Sequence, residues 1–186
     1  MADARGPRIL LWALVLLAVQ AQSSADAAMA LKLTSSAFQA GGKIPSRYTC
    51  EGIGVSPPLA IAGVPSAAKS LALIVDDPDA PDPKAPQRVV VHWVVHNLAP
   101  DTQSLAEDAA NQGLPTGAVA GTNDRKLNAY YGPCPPIGRH RYFHKLYALD
   151  ITLPPEPLTK AALETAMRGH VLAEAELIGT YQKGDP

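Results

Sequence analysis

The side chains best suited to chemistry lie in three short segments of this 186-residue chain. The first segment is acidic and contains Asp76, Asp77 and Asp79. Carboxylates this close together repel one another, so they shift their pKa values or attract a cation, a histidine or loop amides. Aspartates next to proline also commonly accept hydrogen bonds from nearby backbone N–H groups and so hold a turn together. Taken alone, the segment favours this structural role.

Histidines recur at four-residue spacing in two further segments, as His92 and His96 and as His140 and His144. Residues four apart in a strand lie on one face but about 13 Å apart, too far to bind one metal ion. The same spacing on a helix would suit zinc, but neither segment has a helical pattern. The spacing therefore disfavours a metal site within either pair. It leaves open a site assembled across strands, or histidines that are hydrogen-bonded in the core.

The third segment, residues 130–142, joins a loop rich in proline and glycine to the start of a strand. Consecutive prolines stiffen this loop, while Gly132 and Gly138 allow its backbone to turn closely around a small group. Strand alternation places His140 and Tyr142 on one face, where both can donate hydrogen bonds. Such a loop could cradle an oxyanion. The alternative is a structural hairpin covered by a tyrosine.

A convincing catalytic nucleophile is missing from these segments. Because Asp–His pairs orient general bases, a hydrolase acting on a small phosphorylated or ester substrate is an alternative function. However, the sequence has no Gly-x-Ser-x-Gly motif, and Cys134 lies between prolines. We therefore expect a binding protein that is not an enzyme and that carries no cofactor and no metal.

Strands are the elements that would position these side chains. Apolar residues on both faces indicate a buried central strand, and β-branched, aromatic or alternating residues indicate the others. The prolines that follow the first strand, at positions 78, 81, 83 and 86, predict that the acidic segment lies in a loop. The predicted strands are Ser70–Val75, Val89–Leu98, His140–Leu149 with an extension over Ile151–Leu153, and Ala173–Tyr181.

One helix is predicted over Pro157–Arg168, with Thr159 as its N-cap. Because strands dominate, we predict a mainly β fold, a β-sandwich of largely antiparallel sheets with one or two peripheral helices near the C-terminus. Lys and Arg number 16 against 17 Asp and Glu, so the net charge of -1 gives no footprint for nucleic acid.

The N-terminal residues predict an export signal. Arg5 and Arg8 precede the apolar run Ile9–Val19, which is followed by small residues, the order of a secretory signal peptide. The run is shorter than the roughly 20 apolar residues that span a bilayer. The alternatives are an uncleaved anchor helix and a true start at Met29.

We predict a signal peptide over residues 1–27, cleaved after Ala21 or Ala27, and one domain over residues 28–186. The processed protein would be periplasmic or secreted and would have no transmembrane anchor. An oxidising compartment would permit a disulfide between Cys50 and Cys134. Two buried free thiols are the alternative, because the sequence does not show how close the two Cα atoms are.

Two sets of motifs span most of the chain after the leader, from about Leu33 to Tyr181. The first set is Asp77-Pro78-Asp79-Ala80-Pro81, His92, Gly132-x-x-Pro135-Pro136 and His140-Arg141-Tyr142. The second set is Tyr48-Thr49-Cys50-Glu51-Gly52, Ser56-Pro57-Pro58-Leu59 and Gly63-Val64-Pro65. In order and spacing, the first set resembles the signature blocks of the phosphatidylethanolamine-binding proteins. The second resembles the bacterial, Raf-kinase-inhibitor-like branch of that family.

This resemblance implies a β-sandwich with an anion pocket at one end, suited to a phospholipid head group or another phosphorylated ligand. By motif position, the pocket residues are Asp77, Asp79, His92, Gly132, Cys134, Pro135, Pro136, His140 and Tyr142. Family members are described as inhibitors of kinases or proteases, so such a protein partner is compatible with the resemblance, as is a homodimer. The branch usually has acidic or polar residues where this chain has Gly54-Val55, and a tryptophan where it has Ile61. We therefore expect the surface next to the pocket to differ in shape from that of the branch.

Within that pocket we expect a division of roles among the side chains. Tyr142, one or both histidines and loop N–H groups would contact the anion, because hydrogen bonds to charged groups are strong. Asp77 would stand behind a histidine and favour its protonated form. Asp79 would meet an ammonium group of the ligand or hold the turn. This arrangement predicts tighter binding at low pH.

Overall fold

A computed structural model describes residues 30–185 of the chain. The predicted signal peptide and both of its cleavage sites lie outside these residues. No helix within this range is long and apolar enough to cross a membrane.

The described residues form two antiparallel sheets and little helix, which confirms the mainly β fold. The small sheet has the strand order β1-β2-β5, and the large sheet has the order β6-β4-β3-β7-β8. The strands are β1 (Lys32–Thr34), β2 (Leu59–Ala62), β3 (Ser70–Ala80), β4 (Arg88–Leu98), β5 (Ser104–Leu105), β6 (Val119–Ala120), β7 (His140–Leu149) and β8 (Val171–Tyr181). The helices are a 3-10 turn (Ser46–Tyr48), α1 (Ala109–Gln112) and α2 (Lys160–Ala166).

The large sheet is covered on both faces. One face packs against the small sheet, where Leu59 of β2 and Trp93 of β4 belong to a single apolar cluster. The other face packs against α2 through a second cluster that includes Ile74 and Leu163. Strand β3 lies at the centre of this sheet, and this explains why the run from Leu71 to Val75 is apolar on both faces, as the sequence predicted.

Strand β3 is longer than predicted. The acidic segment was expected in a loop, but β3 continues to Ala80, and Asp76 and Asp77 pair with Val91 and Val90 of β4. The strand tolerates Pro78, which has no N–H to donate, because the register is irregular between Asp77 and Ala80. The prolines therefore mark an irregular strand end and not the start of a loop.

A β-bulge in β4 changes the orientation of its histidines. Val75 pairs with Trp93 but Asp76 pairs with Val91, so His92 is an extra residue in β4. One extra residue inverts strand alternation. The prediction that His92 and His96 share a face is therefore wrong: His92 contacts Tyr131 and Tyr142, whereas His96 lies near Glu156.

The predicted helix is present but shorter than expected. It covers Lys160–Ala166, and the side chain of Thr159 caps it by accepting a hydrogen bond from the backbone N–H of Ala162 at 3.3 Å. Residues 151–153 do not prolong β7, which ends at Leu149. Instead, the backbone of Leu153 exchanges two hydrogen bonds with the side chain of Asn97.

Candidate functional site

Three strand ends meet at one edge of the large sheet. Because β3 pairs antiparallel with both β4 and β7, its C-terminal end lies beside the N-terminal ends of those two strands. The ends carry Asp77, His92, His140 and Tyr142, all of which are buried. The structure thus brings together four of the side chains that the sequence singled out.

Asp77 and His140 form a buried pair. Nδ1 of His140 lies 2.7 Å from Oδ2 of Asp77, and Nε2 lies 3.0 Å from the carbonyl oxygen of Ile137. A carbonyl only accepts hydrogen bonds, so Nε2 carries a proton and a second proton is shared between Nδ1 and the carboxylate. Both ring nitrogens of His140 are therefore engaged within the protein.

Burial raises the pKa of Asp77, although hydrogen bonds from His140 and from the backbone N–H of Asp79 oppose the shift. The N–H of Asp79 lies 2.8 Å from Oδ1 of Asp77. Asp77 therefore stands behind a histidine, the position expected for it, while its other oxygen holds its own strand end in place.

Asp79 is paired with Arg141. The guanidinium donates two hydrogen bonds to its carboxylate, at 2.9 and 2.7 Å, and the backbone N–H of Arg141 donates a third at 2.9 Å. These hydrogen bonds lower the pKa of Asp79. Of the two roles expected for Asp79, the contacts correspond to holding the backbone, because its counter-charge comes from the chain itself.

His92 lies in a stack of aromatic and cationic side chains. Its ring stacks on Tyr131 with 4.2 Å between centroids and meets the edge of Tyr142 at 5.2 Å. The guanidinium of Arg125 lies 4.3 Å above the Tyr131 ring. Burial lowers the pKa of His92 to about 4, so its ring is neutral at pH 7.

Two polar atoms at this edge have no partner among the described residues. They are Nε2 of His92 and the hydroxyl of Tyr142, and both are buried. Other buried polar atoms without a partner among the described residues are Oδ1 of Asp76 and ring nitrogens of Trp93, His96 and His144. The His92–Tyr142 couple borders the Asp77–His140 pair, since the Tyr142 and His140 rings lie 6.5 Å apart. Buried polar groups are normally hydrogen-bonded, so the couple marks a place for a ligand or an ordered water.

The loop that precedes β7 is held by close packing and a covalent bond. A Cβ atom on Gly132 would lie 2.6 Å from the carbonyl oxygen of Tyr48, so only glycine fits there. Cys50 and Cys134 form a disulfide with a Cα–Cα distance of 5.4 Å. Gly132 and Cys134 thus fix the position of the loop.

The remaining predicted loop residues differ in exposure. Pro135 is buried, whereas Pro136 is exposed. Sequence reasoning did not assign roles to Tyr131, Arg125 or the side chain of Arg141. Alternation places Arg141 on the face opposite His140 and Tyr142, and only the fold shows that its guanidinium reaches Asp79. The carbonyl of Tyr131, which contacts His92, has no sequence signal.

Other parts of the described chain offer less chemistry. Two surface hollows of ≈ 500 and ≈ 230 Å³ lie along the small sheet, and Asp101 is the one ionisable residue that lines them. Within residues 30–185, no group of three or more His, Cys, Asp or Glu side chains could hold a metal ion. The edge that carries Asp77, His92, His140 and Tyr142, hereafter the site edge, is therefore the candidate functional site.

Comparison with known proteins identifies related sequences. The family described as phosphatidylethanolamine-binding protein matches residues 34–182. A UPF0098 protein of Methanothermobacter thermautotrophicus is 53% identical over 156 residues, which cover 83% of this chain and 100% of the relative. Another from Chlamydia muridarum is 48% identical and covers 82% of this chain and 99% of the relative.

Solved structures show the same fold. A phosphatidylethanolamine-binding protein homologue from Chlamydia trachomatis superposes with a TM-score of 0.75 at 47% identity, covering 83% of this chain and 98% of the other. YbcL of Escherichia coli, described as a new member of the mammalian family, superposes with a TM-score of 0.74 at 32% identity. That match covers 82% of this chain and 98% of YbcL.

Proposed function

Since this chain belongs to the phosphatidylethanolamine-binding protein family, we propose that it binds a small oxyanion at the site edge. The ligand would be the phosphate of a phospholipid head group or of another phosphorylated molecule. The family is one of ligand-binding proteins. One observation carries the proposal: Nε2 of His92 and the hydroxyl of Tyr142, on rings whose centroids lie 5.2 Å apart, are both buried and without a partner among the described residues.

The electrostatics of the site edge support a bound anion despite its two carboxylates. Asp77 shares a proton with His140, and Asp79 is neutralised by Arg141. Burial raises the pKa of Tyr142, so its hydroxyl remains a hydrogen-bond donor at neutral pH. A hydrogen bond from this hydroxyl to an anionic oxygen would be charge-assisted and therefore strong.

Isothermal titration calorimetry with inorganic phosphate and phosphoethanolamine tests this proposal. Tyr142→Phe removes the donor and should weaken binding about 10- to 100-fold, the value of a hydrogen bond to a charged group. Tyr147→Phe is the matched control, since Tyr147 lies on the same strand but packs against the α2 side of the sheet. The proposal fails if neither ligand binds the unmodified protein, or if both variants bind equally.

The geometry gives little support to the hydrolase alternative. Both ring nitrogens of His140 are engaged, so it cannot act as a general base without breaking a hydrogen bond. Cys134 is in a disulfide and offers no thiol nucleophile. We therefore propose that the protein is not an enzyme. Turnover of p-nitrophenyl phosphate or acetate that is lost in His92→Gln would contradict this.

Export also belongs to the proposal. It rests on the N-terminal sequence, and a disulfide fits an oxidising compartment. The mass of the protein purified from its own cells should correspond to cleavage after Ala21 or Ala27, and a full-length mass would exclude processing. Inhibition of a kinase or protease and a homodimer stay predictions, to be tested by affinity capture and by native mass spectrometry.

A further inference from the structure

We infer that the site edge selects oxyanions that carry a proton of their own, such as phosphate monoesters, over sulfate and phosphodiesters. His92 would make this selection by accepting a hydrogen bond from the ligand. The inference rests on the proposed function and narrows it to phosphate monoesters, so the phosphodiester of an intact phospholipid head group becomes the weaker of the two ligand classes named there.

The tautomer of His92 follows from one contact. Its Nδ1 lies 2.9 Å from the carbonyl oxygen of Tyr131. A carbonyl oxygen only accepts, so Nδ1 carries the ring proton. In a neutral imidazole the other nitrogen then has a lone pair and no hydrogen. The unpartnered Nε2 is thus an acceptor, although a positively charged donor would have been expected in an anion site.

The surroundings of His92 keep the ring neutral. Burial lowers the pKa of His92 to about 4, and His144 and Arg125 add to this effect, whereas Asp124 opposes it. The other neighbours in contact are the rings of Tyr131 and Tyr142. With this pKa, the ring is neutral at pH 7, so binding that required an imidazolium would be weakened.

The couple therefore offers one donor and one acceptor, on two rings whose centroids lie 5.2 Å apart. The hydroxyl of Tyr142 can donate to an anionic oxygen, while Nε2 of His92 can accept a proton from a P–OH group. A monoprotonated phosphate monoester presents both groups on one phosphorus. Sulfate and phosphodiesters have only acceptor oxygens at neutral pH, so one of these would face the lone pair of Nε2 and leave it unpaired.

Calorimetry at pH 7 with inorganic phosphate, sulfate and dimethyl phosphate tests the selection. Phosphate should bind at least tenfold more tightly than the other two, the effect of one unmade buried hydrogen bond. If sulfate or dimethyl phosphate binds within about twofold of phosphate, the selection is wrong while the proposed function stands. If no probe binds, both fail.

The pH dependence of the affinity should be set by the pKa of the ligand and not by the pKa of a protein group. A phosphate monoester loses its last proton with a pKa of about 6, so the affinity for phosphoethanolamine should fall about tenfold per pH unit above that value. An alkylphosphonate has a higher second pKa than phosphoethanolamine. The midpoint of its affinity–pH curve should therefore be higher by the difference between the two ligand pKa values. A midpoint identical for both ligands would assign the titration to a protein group and overturn the inference.

Nitrogen NMR of the imidazole rings tests the tautomer in the unmodified protein, so the result does not depend on whether a variant folds. His92 should show a protonated Nδ1 and an unprotonated Nε2 at pH 7, and Nε2 should accept a hydrogen bond when phosphate is added. A protonated Nε2 in the free protein would contradict the proposed selection.

Discussion

Asp76 and Asp77 are neighbours in β3, yet their side chains lie on opposite faces of the large sheet because strand residues alternate. On the α2 side, the Asp76 carboxylate has the ammonium groups of Lys145 and Lys160 at 2.9 and 2.5 Å. On the site edge, Asp77 has His140 at 2.7 Å. Two adjacent residues of one type are therefore neutralised in different ways.

The surroundings of the two carboxylates differ in the groups that compensate their charge. Two lysines neutralise Asp76, and Lys160 also lies 3.6 Å from Glu164, so the charge of Asp76 is compensated within the chain, although its Oδ1 has no hydrogen-bond partner among the described residues. Next to Asp77, the His92–Tyr142 couple keeps a donor and an acceptor without a partner. The charge network around Asp76 contributes to stability, and the His92–Tyr142 couple is where a ligand can contribute binding energy.

The largest effect is expected on the α2 side of the large sheet. Lys145→Met combined with Lys160→Met leaves Asp76, whose side chain is 1% exposed, without a counter-charge. The free energy of unfolding should fall by about 3–5 kcal/mol in urea titrations, the cost of an unpaired buried charge. Phosphate affinity should not change. Adding Asp76→Asn should restore most of the stability.

The matched control for that double variant is Lys84→Met with Lys126→Met, two exposed lysines. This control should change the free energy of unfolding by less than about 0.5 kcal/mol. If both pairs of substitutions have the same effect, the network around Asp76 is not what stabilises that face.

The next effect concerns the site edge, which is held by a covalent bond. Cys50→Ser with Cys134→Ser opens a link between residues 84 apart, and the free energy of unfolding should fall by about 2–4 kcal/mol. Phosphate affinity should also fall, because the link anchors the loop before β7. Dithiothreitol should have the same effect on the unmodified protein and none on the variant; an effect on the variant would show that the reductant acts elsewhere.

The third prediction concerns the pH dependence of stability, to which buried histidines at the site edge and in the core both contribute. In the folded protein the pKa of His92 is about 4, below its ordinary 6.5, so the unfolded chain binds the proton first as pH falls. The free energy of unfolding should therefore decrease between pH 6.5 and 4, by about 1.4 kcal/mol per pH unit for each such histidine.

His92→Gln should make this pH dependence shallower, because one fewer proton is taken up on unfolding between pH 4 and 6.5. His144→Gln is the matched control, because burial also lowers the pKa of His144 to about 4 while its ring packs against Phe38. Both variants should flatten the stability profile equally, but only His92→Gln should alter phosphate binding. Equal loss of binding in both would show that the ligand site extends into the core.

The smallest effect is expected at Arg141, whose side chain is 55% exposed. Arg141→Gln should lower the free energy of unfolding by about 1 kcal/mol at pH 7, since solvent screens exposed ion pairs. Because the folded pKa of Asp79 is lowered, this contribution is present above its ordinary value and is lost as pH falls through the folded pKa. Arg168→Gln, at an exposed position after α2, should have no such effect; equal losses would exclude the Asp79 contact as the cause.

Much of the fold could be predicted because its signals are local. The apolar run at the start of β3 indicates a strand buried on both faces, and Thr159 marks the start of α2. The convergence of Asp77, His92, His140 and Tyr142 was implied by the resemblance to the family and not by these local signals. The orientation of His92 relative to His96 could not be predicted, because it depends on a bulge defined by pairing with another strand.

The sequence by itself determined the four long strands of the large sheet, the capped helix and the types of side chain available at the site edge. Only the tertiary structure decided their partners: Asp76 with two lysines, Asp79 with Arg141, and His92 with the carbonyl of Tyr131. These contacts join residues 39 to 84 positions apart. Strand register decides them, and a shift of one residue turns every side chain to the opposite face.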